Sequence, residues 1–262
     1  MFKPKNIYYE KEIMDYPLGK ELMEKYADIP KIKIENHNNI EEMRKKSNKE
    51  FTDMKRNLII GIRKTHKFVP NHKTSDFLVP YTSSGCTAAC MYCYLVCNYN
   101  KCAYLRLFVN REKMLDKIIK TAESSEKELT FEIGSNSDLI LENEITNNLV
   151  WTIENFRNSK KGFLTLPTKF SMVDSILDIN HRGKVIIRMS VNPKEIINRV
   201  EFGTSRLDDR IGAINKLCDK EKMTGRGKGK YMYKNDLRKD GDLFFREQMH
   251  KYFPNNSIEY IV

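Results

Sequence analysis

Three cysteines in the stretch GCTAACMYC have the residue type and spacing of a metal-binding loop. Three residues separate Cys86 from Cys90 and two separate Cys90 from Cys93, so one loop can bring three thiolates to a single centre. A zinc site usually takes four ligands, often as two separated pairs, and here the distant Cys218 stands alone. A 4Fe–4S cluster on three cysteines would leave one iron open to an outside ligand. The residues alone leave a cluster, zinc, redox chemistry and structural thiols as alternatives.

The other cysteines are not expected to be ligands. Cys97 and Cys102 follow the triplet, and a small thiol in such a place more often acts as a buried apolar side chain. Cys218 lies near one helix face with Ile211 and Ile214, which predicts a place in the core.

The composition sets broad limits on the protein. The chain has 262 residues, 40% of them hydrophobic, and its 46 Lys and Arg against 35 Asp and Glu give a net charge of +11. Such a surplus favours a polyanionic partner, although many basic proteins are merely soluble. No apolar run approaches the ~20 residues of a membrane span, and the N-terminus lacks the apolar region of a secretory signal. We expect a cytoplasmic protein without a membrane partner, in which thiols stay reduced.

Strands and helices alternate over the middle of the chain, which predicts a parallel sheet with crossover helices. The predicted strands are SDFLVPYT (75–82), LTFEI (129–133), GFLTLP and KVIIRMSV (184–191). The predicted helices are REKMLDKIIKTAESSEKE (111–128), NEITNNLVWTIENFRNS, SMVDSILDINHR and RLDDRIGAINKLCDK (206–220).

The two ends of the chain have less regular patterns. Before the alternation we predict a helix after Pro17, a strand in KIKIE and a charged helix over NIEEMRKKSNKEFTDMKRNLIIGI. After it we predict a helix in LFFREQMHKYFP and a last strand in SIEYIV. We assign residues 1–72 to a small N-terminal α/β segment and residues 73–262 to a β/α unit with a basic C-terminal hairpin or tail.

Residues 220–240 carry eight Lys and Arg against three Asp and Glu, with tyrosines among them. A charge run alone is usually a solvated loop. Basic residues with glycines and aromatic rings also fit a clamp on a phosphate backbone, and we weigh the two interpretations equally. The candidate DNA-binding residues are Arg226, Lys228, Lys230 and Tyr231.

The cysteine spacing resembles the motif of the radical S-adenosylmethionine (SAM) enzymes, and its position after the first strand of the series agrees. The longer stretch TSSGCTAACMYCYLVCNYNKCAYLRLFVNRE resembles the spore photoproduct lyase family. Weaker similarity continues in DYPLGKEL, TKFSMVDSILD, FGTSRLDDRI and GKGKYMYK, so most of the chain is covered. The resemblance implies an α/β fold with a partial, open β/α barrel of the radical SAM type.

The resemblance also implies an activity, cofactors and partners. The family splits the spore photoproduct, a thymine dimer in UV-damaged DNA, back to two thymines through a 5′-deoxyadenosyl radical. By matching position, Cys86, Cys90 and Cys93 would hold a 4Fe–4S cluster whose open iron binds S-adenosylmethionine. Tyr92 and Tyr94 would serve cofactor contact and hydrogen transfer, or simply pack the wall of the cluster. The electron would come from a donor such as ferredoxin or flavodoxin.

Three further cofactor contacts are implied on other loops. By matching position they are Ser137, Lys169 and Ser190. Ser137 and Lys169 follow predicted strands and Ser190 ends one, and the reactive face of a β/α barrel is built from loops at the carboxyl ends of its strands. An isolated Ser or Lys after a strand is more often a turn or helix cap, so only the register with the cysteine motif favours the functional role.

Two features depart from the family pattern. Ser135 stands where the family has the cysteine that returns a hydrogen atom to the product radical. The segment INKLCDKEKMTGRGKGK joins the last predicted helix directly to the basic tail, where the family has further strand–helix units. The sheet then stays open, or a partner subunit covers it, or the protein is inactive. The alternatives to a lyase are another radical SAM enzyme acting on nucleic acid and an impaired remnant that binds a cluster and DNA.

Overall fold

The computed structural model describes residues 2–98, 104–224, 232–234 and 259–261. Its strands are β1 (Ile7–Glu10), β2 (Lys31–Ile34), β3 (Leu58–Gly61), β4 (Val69–Pro70), β5 (Phe77–Leu78), β6 (Ser83–Ser84), β7 (Ala89–Cys90), β8 (Leu105–Phe108), β9 (Thr130–Glu132), β10 (Phe163–Thr168), β11 (Val185–Met189), β12 (Glu201–Phe202), β13 (Met232–Lys234) and β14 (Glu259–Ile261). Its α-helices are α1 (Pro17–Lys25), α2 (Glu41–Lys45), α3 (Phe51–Met54), α4 (Tyr94–Asn98), α5 (Arg111–Ser124), α6 (Leu139–Thr146), α7 (Asn148–Phe156), α8 (Lys194–Val200) and α9 (Leu207–Thr224).

The first sheet has the strand order β2-β1-β3-β8-β6. Its first four strands are parallel, and β6 pairs with β8 in the antiparallel sense. The apolar run at Leu58, Ile59 and Ile60 is fully buried, as expected of a central parallel strand. β6 ends at Ser84, so the chain passes directly from this sheet into the cysteine loop at Gly85.

The second sheet has the strand order β11-β10-β9-β5-β4. All its strands are parallel except β4, which is antiparallel to β5. Phe131 and Leu164 point into a core completed by Ile118 from α5 and Phe156 from α7, all fully buried. The carboxyl ends of β9, β10 and β11 therefore lie along one edge, held by a common core.

The α/β class and the open barrel are confirmed. The outer strands of the second sheet are β11 and β4, and no pairing in the described part of the chain joins them into a closed barrel. β13 and β14 form a separate parallel pair, and β13 contacts β11. None of the helices in the described ranges is long and apolar enough to cross a membrane.

Several predicted elements are confirmed by the structure. The predicted strands at KIKIE, LTFEI, GFLTLP, KVIIRMSV and SIEYIV appear as β2, β9, β10, β11 and β14, and SDFLVPYT retains only the short β5. The predicted helix after Pro17 and those over 111–128 and 206–220 appear as α1, α5 and α9. The predicted helix LFFREQMHKYFP lies outside the described residues.

The predicted charged helix before residue 62 is wrong. The chain instead forms α2, a 3₁₀-helix at Asn48–Glu50, α3 and then β3. The cause of the break is local: Glu50 accepts hydrogen bonds from the backbone N–H of Ser47 at 2.8 Å and from its hydroxyl at 3.0 Å, as in a capping box. The apolar end of this segment is then buried as a strand.

Two other predicted helices differ from the structure. NEITNNLVWTIENFRNS forms α6 and α7 instead of one helix, because Asn147 between them takes a left-handed φ of 55°. SMVDSILDINHR forms only a 3₁₀-helix at Asp174–Ile176. There, Ser171 bonds the Ser205 hydroxyl through its N–H at 2.9 Å and its hydroxyl at 3.0 Å, which fixes the chain outside a helix.

The sheets cross the proposed division at residue 72. β4 precedes that position and lies in the second sheet, whereas β6 and β8 follow it and lie in the first. β1, β3, β8 and α8 have no counterpart among the predicted elements. The division into an N-terminal segment and a β/α unit stays a prediction.

Candidate functional site

The cysteine loop begins at Gly85, which turns the chain out of β6. Its φ of +75° is a left-handed conformation that glycine adopts without steric cost. Its N–H donates to the carbonyl of Asn136 at 2.8 Å, and Gly85 and Ser137 form an isolated parallel bridge. Cys86 is therefore placed directly against the loop that follows β9.

The second half of the loop is held by the segment that follows α8. β7 pairs with β12, so Cys90 lies opposite Glu201, and the N–H of Met91 donates to the carbonyl of Val200 at 2.8 Å. The N–H of Cys93 donates to the carbonyl of Cys90 at 3.1 Å, which closes a turn. Backbone pairing thus fixes both cysteines relative to a distant part of the chain.

The three thiols are partly buried and electrostatically coupled to lysines. Burial, with a smaller contribution from the Asp138 carboxylate, raises the pKa of Cys86 to about 12. Burial also raises the pKa of Cys90, while Lys169 acts in the opposite direction. Metal ligation requires thiolates, so loading this loop must release protons.

Lys55 is the cation beneath the cysteine loop. Its side chain is buried, and its ammonium donates to the carbonyl of Cys86 at 2.8 Å. Burial lowers the pKa of Lys55, whereas the nearby Cys86, Cys93 and Cys90 raise it. This lysine is absent from the predicted site because it lies in the N-terminal segment, where no motif connects it to the loop.

Three thiols on one short loop are the type of donor that iron–sulfur clusters take from proteins. Across the described ranges, no three Cys, His, Asp or Glu side chains are grouped as ligands of one metal ion. In a 4Fe–4S cluster each cysteine binds a different iron, so the ligand sulfurs stand apart. Three thiols on one loop provide such ligands. The positive charges of Lys55 and Lys169 would offset the negative charge of the thiolates.

The three predicted strand-end residues reach this edge of the sheet. The Ser137 hydroxyl bonds that of Ser83, just before the cysteine loop. Lys169 follows β10 directly, and its ammonium lies 5.3 Å from the ring centroid of Tyr92. Ser190 follows β11 and donates its N–H to the carbonyl of Thr168 at 2.8 Å. Their predicted cofactor contacts stay predictions.

Glu201 is the centre of a buried ionic network that was not predicted from the sequence. Its carboxylate accepts from Arg210 at 2.6 Å and from the Tyr92 hydroxyl, and it lies 3.6 Å from the Lys169 ammonium. Asn192 donates to it at 2.7 Å. Burial would raise the pKa of Glu201, but Lys169, Tyr92 and Arg210 together outweigh burial and hold it below its usual range.

Arg210 connects this network to Ser190. Its guanidinium is fully buried and donates to the carbonyls of Ser190 at 2.8 Å and Ser205 at 2.9 Å. In the sequence, Glu201 only precedes, and Arg210 only lies within, the segment FGTSRLDDRI that resembles the family. Nothing else in the sequence indicates their role. A buried ion pair of this kind is apparent only once the fold brings the two residues together.

The two tyrosines differ in their surroundings. Tyr92 is half-exposed, and its hydroxyl is engaged by Glu201. The Tyr94 hydroxyl donates to the backbone carbonyl of Ser135, so its ring reaches across to the loop after β9. Tyr94 is therefore the tyrosine that lies beside the position where the sequence departs from the family pattern.

Two buried carboxyls support the loop after β9. Asp138 caps α6 and accepts from the Thr168 hydroxyl at 2.8 Å and the Lys169 N–H at 2.9 Å. Glu142 is fully buried and accepts from Ser83 at 2.5 Å. Burial raises the pKa of both carboxyls despite these hydrogen bonds.

Some predicted residues lie outside the described parts of the chain. These are Arg226, Lys228, Lys230, Tyr231 and Cys102, together with the side chain of Cys97. Cys218 is buried in the main core, as predicted.

The geometry brings together a three-thiol loop, two lysines and hydroxyl groups at the carboxyl edge of a parallel sheet. Such a site can hold an electron-transferring cluster and a small charged cofactor beside it. The edge also carries two tyrosine rings, which suit contact with an aromatic or nucleoside group.

Comparison with known proteins identifies relatives over most of the chain. The model of a family described as spore photoproduct lyase matches residues 2–226. The spore photoproduct lyase of Bacillus subtilis (strain 168) is 36% identical over 222 residues, which are 83% of this chain and 64% of that protein. The protein of the same name from Geobacillus sp. (strain Y412MC61) is 33% identical over the same shares. The chain thus spans 64% of the length of these curated relatives.

Solved structures give the same result for the fold. A spore photoproduct lyase complexed with dinucleoside spore photoproduct matches with a TM-score of 0.87 and 27% identity, over 99% of this chain and 78% of that one. A double mutant with bound AdoMet and dinucleoside spore photoproduct also has a TM-score of 0.87, with 26% identity and the same coverage.

Proposed function

Because the chain belongs to the spore photoproduct lyase family, we propose that it is a radical SAM lyase that splits the spore photoproduct back to two thymines. The observation that carries this proposal is the position of the three-cysteine loop. The loop lies against the segment after β9 and pairs with β12, beside Ser137 and Lys169 at the carboxyl edge of the second sheet. A solved relative with the same fold holds AdoMet and the dinucleoside photoproduct.

Cys86, Cys90 and Cys93 would hold a 4Fe–4S cluster on this loop. When bound, the cluster and S-adenosylmethionine supply the 5′-deoxyadenosyl radical that removes a hydrogen atom from the photoproduct. The chain's part is to position these groups: the bridge at Gly85 fixes Cys86, and the β7–β12 pairing fixes Cys90. The Lys55 ammonium, which contacts the Cys86 carbonyl, would offset the negative charge of the cysteine thiolates.

Four residues would bind S-adenosylmethionine. The Lys169 ammonium, close to Tyr92 and Glu201, provides a cation for the cofactor's carboxylate. Ser137 and Ser190 provide hydroxyl groups after β9 and β11, the strands on either side of β10, and the half-exposed Tyr92 ring provides an apolar face. Glu201 keeps Lys169 and Tyr92 in place and is a positioning residue in this scheme.

The substrate would be UV-damaged DNA, with the basic C-terminal residues Arg226, Lys228, Lys230 and Tyr231 contacting its phosphates. We assign Tyr94 to hydrogen transfer, since it reaches the loop that contains Ser135. The electron would come from a small carrier such as ferredoxin or flavodoxin, and the reaction would take place in the cytoplasm or the spore core.

The test is anaerobic reconstitution with iron and sulfide, followed by reduction with dithionite in the presence of S-adenosylmethionine. We expect a brown protein that releases 5′-deoxyadenosine and converts dinucleoside spore photoproduct to thymines. Release of 5′-deoxyadenosine without repair would point to a radical SAM enzyme with another nucleic-acid substrate. A reconstituted protein that releases none would be the impaired remnant, and the lyase proposal would be wrong.

A matched pair of variants tests the cofactor site. Lys169→Gln should raise the concentration of S-adenosylmethionine needed for half-maximal 5′-deoxyadenosine release. The control, Lys194→Gln, removes the same charge from an exposed lysine on α8 that pairs with exposed Asp208 at 3.9 Å. It should not change the concentration of S-adenosylmethionine needed. Equal effects of the two substitutions would remove Lys169 from the cofactor site.

A further inference from the structure

The segment between Asp53 and Asp76 concentrates positive charge. Its 22 residues contain six Lys and Arg and two His, and no Asp or Glu. Lys55 points to the cysteine loop, but the residues from Arg63 to Phe68 run along the surface beside β4. This basic run belongs neither to the cysteine motif nor to the C-terminal tail.

Arg63 attaches the basic run to the active-site edge. Its guanidinium donates to the carbonyls of Tyr81 at 2.8 Å and Ser83 at 3.4 Å, in the segment that leads into the cysteine loop. Its backbone exchanges two hydrogen bonds with Asn110, at 3.0 and 2.9 Å, and its guanidinium lies 3.9 Å from the centroid of the Phe108 ring. The start of the run is therefore fixed.

The strand pairing shows which edge of the sheet the run reaches. β4 is antiparallel to β5, with Val69 opposite Leu78 at the carboxyl end of β5. Residues that precede Val69, including Lys64 and Lys67, thus extend beyond the carboxyl end of β5. Because β5 and β9 are parallel, this is the edge at which the loop containing Ser137 and the cysteine loop meet.

Helix α5 adds two more lysines to the same surface. Lys113 and Lys117 are exposed on its first two turns, and the Lys117 ammonium donates to the carbonyl of His66 and lies 5.0 Å from the ring centroid of Phe68. Burial lowers the pKa of His66, and Arg63, Lys117 and Lys113 lower it further. Cations from two elements therefore converge here.

Lys64, Lys67, Lys113 and Lys117 form no ion pairs in the described part of the chain, although Glu112 and Asp116 are adjacent to Lys113 and Lys117 on α5. Glu112 on the same helix pairs with Arg111 instead, at 3.4 Å. Like charges held together repel one another in the folded state, and their field attracts a polyanion.

We propose that Lys64, Lys67, Lys113 and Lys117 form a phosphate-contact surface that holds the DNA backbone beside the lesion at the active-site edge. The inference rests on the proposed function and adds a second DNA contact, separate from the C-terminal tail. Lysine ammoniums are compact charges suited to phosphates, so this surface would give affinity and orientation without reading sequence.

The test compares two triple variants of equal charge. Lys64→Ala/Lys67→Ala/Lys113→Ala removes three of the four lysines of the surface, and Lys20→Ala/Lys33→Ala/Lys49→Ala removes three exposed lysines from the N-terminal segment. Binding of an undamaged duplex oligonucleotide is measured by fluorescence anisotropy over a salt series. Removing one phosphate contact reduces the slope of log K against log salt by about 0.9, so the slope of the surface variant should be smaller than the parent slope by about 2 to 3. The control should keep the parent slope.

Repair assays separate this inference from the proposed function. On dinucleoside spore photoproduct, which lacks flanking DNA, the surface variant should match the parent, and on a damaged duplex at low concentration it should be slower. An unchanged salt slope, or an equal reduction in the control, overturns the inference. The inference is also overturned if the surface variant binds DNA like the parent but is reduced more slowly than the parent by flavodoxin and equally fast by dithionite. That result would make this a docking surface for the electron donor. The expected reduction of slope in a protein that repairs nothing overturns only the proposed function.

Discussion

The Tyr92 hydroxyl donates a hydrogen bond to the Glu201 carboxylate, which lies 109 residues later in the chain. The same carboxylate holds the buried guanidinium of Arg210, whose other hydrogen bonds reach the carbonyl of Ser190. Side chains therefore reinforce the β7–β12 pairing and connect the cysteine loop to the end of β11. The position of Tyr92, and with it the wall of the site, depends on one buried carboxylate.

Replacement of Glu201 by Ala should destabilise the protein strongly. The Glu201 and Arg210 side chains are fully buried, and removal of one partner of a buried ion pair costs about 3–5 kcal/mol. Tyr92→Phe removes only a hydrogen bond and should cost about 1 kcal/mol. Urea denaturation of the protein without cofactors measures both. A Glu201→Ala variant no less stable than Tyr92→Phe would contradict the central place of this carboxylate.

Glu142 should make stability depend on pH in the opposite sense to an ordinary surface ion pair. Burial raises its pKa above the ordinary value of 4.5, so the folded state holds the proton more tightly than the unfolded state does. The contribution of this group to stability is complete below 4.5 and is lost as pH rises through the raised pKa. Relative to the parent, Glu142→Gln should therefore gain stability as pH rises over that range.

The measurement is the free energy of unfolding at a series of pH values, with exposed Glu154→Gln on α7 as the control. The absolute stability of Glu142→Gln also reflects altered hydrogen bonds to Thr82, Ser83 and Asn148, so only its change with pH is decisive. Parallel profiles for the parent and Glu142→Gln would show that this carboxyl keeps the same protonation state in the folded and unfolded protein.

The sequence predicts the parts of the site that depend on local pattern. The spacing of Cys86, Cys90 and Cys93 identifies the loop, and Ser137 and Lys169 follow strands whose apolar runs are visible in the sequence. The strand–helix alternation also predicts β9, β10 and β11, each of which contributes apolar side chains to the core, such as Phe131, Leu164 and Val185. Each of these features is determined by residues that are close to one another in the sequence.

Features that depend on distant contacts could not be predicted in the same way. Glu201 and Lys55 acquire their roles only when the fold buries them beside the cysteine loop. The apolar residues of β3 follow a charged segment of helical spacing, which favours a helix, and their strand conformation comes from pairing with β1 and β8. The break at Asn147 is set by one backbone angle.

Alanine at Cys86, Cys90 or Cys93 should in each case abolish the brown chromophore of the reconstituted protein and the release of 5′-deoxyadenosine. Cys97→Ala, Cys102→Ala and buried Cys218→Ala serve as controls and should keep both. Because burial raises the pKa of Cys86 to about 12, cluster assembly must displace a proton there and should be faster at higher pH. A control without the chromophore, while one of the three variants retains it, would contradict the ligand assignment.

The basic tail should contribute to DNA affinity mainly through phosphates. Changing Arg226, Lys228 and Lys230 to Ala should flatten the salt dependence of DNA binding, by about 0.9 in slope for each phosphate that the tail no longer binds. Combining these changes with the Lys64, Lys67 and Lys113 substitutions should give additive reductions, because the two surfaces bind different phosphates. A tail variant with the parent slope would leave the lysine surface beside β4 as the principal DNA-binding surface.

Ser135 should limit the last step of repair. A carbon radical can take hydrogen from a weak S–H bond, but transfer from the much stronger O–H bond of serine to an allylic thymine radical is strongly uphill. Another donor must then serve, and the Tyr94 hydroxyl is held at the carbonyl of Ser135 itself. We expect slow or incomplete repair, with part of the product trapped as adducts such as a thymine sulfinate when dithionite is the reductant.

Ser135→Cys should raise the yield of clean thymine product and suppress those adducts, as measured by chromatography of dinucleoside photoproduct reactions. Tyr94→Phe should reduce hydrogen return in the parent, and Ser135→Cys should partly restore clean product in that background if the thiol reaches the product radical directly. If the parent already repairs cleanly and Ser135→Cys changes neither yield nor product mixture, the role assigned to position 135 is wrong.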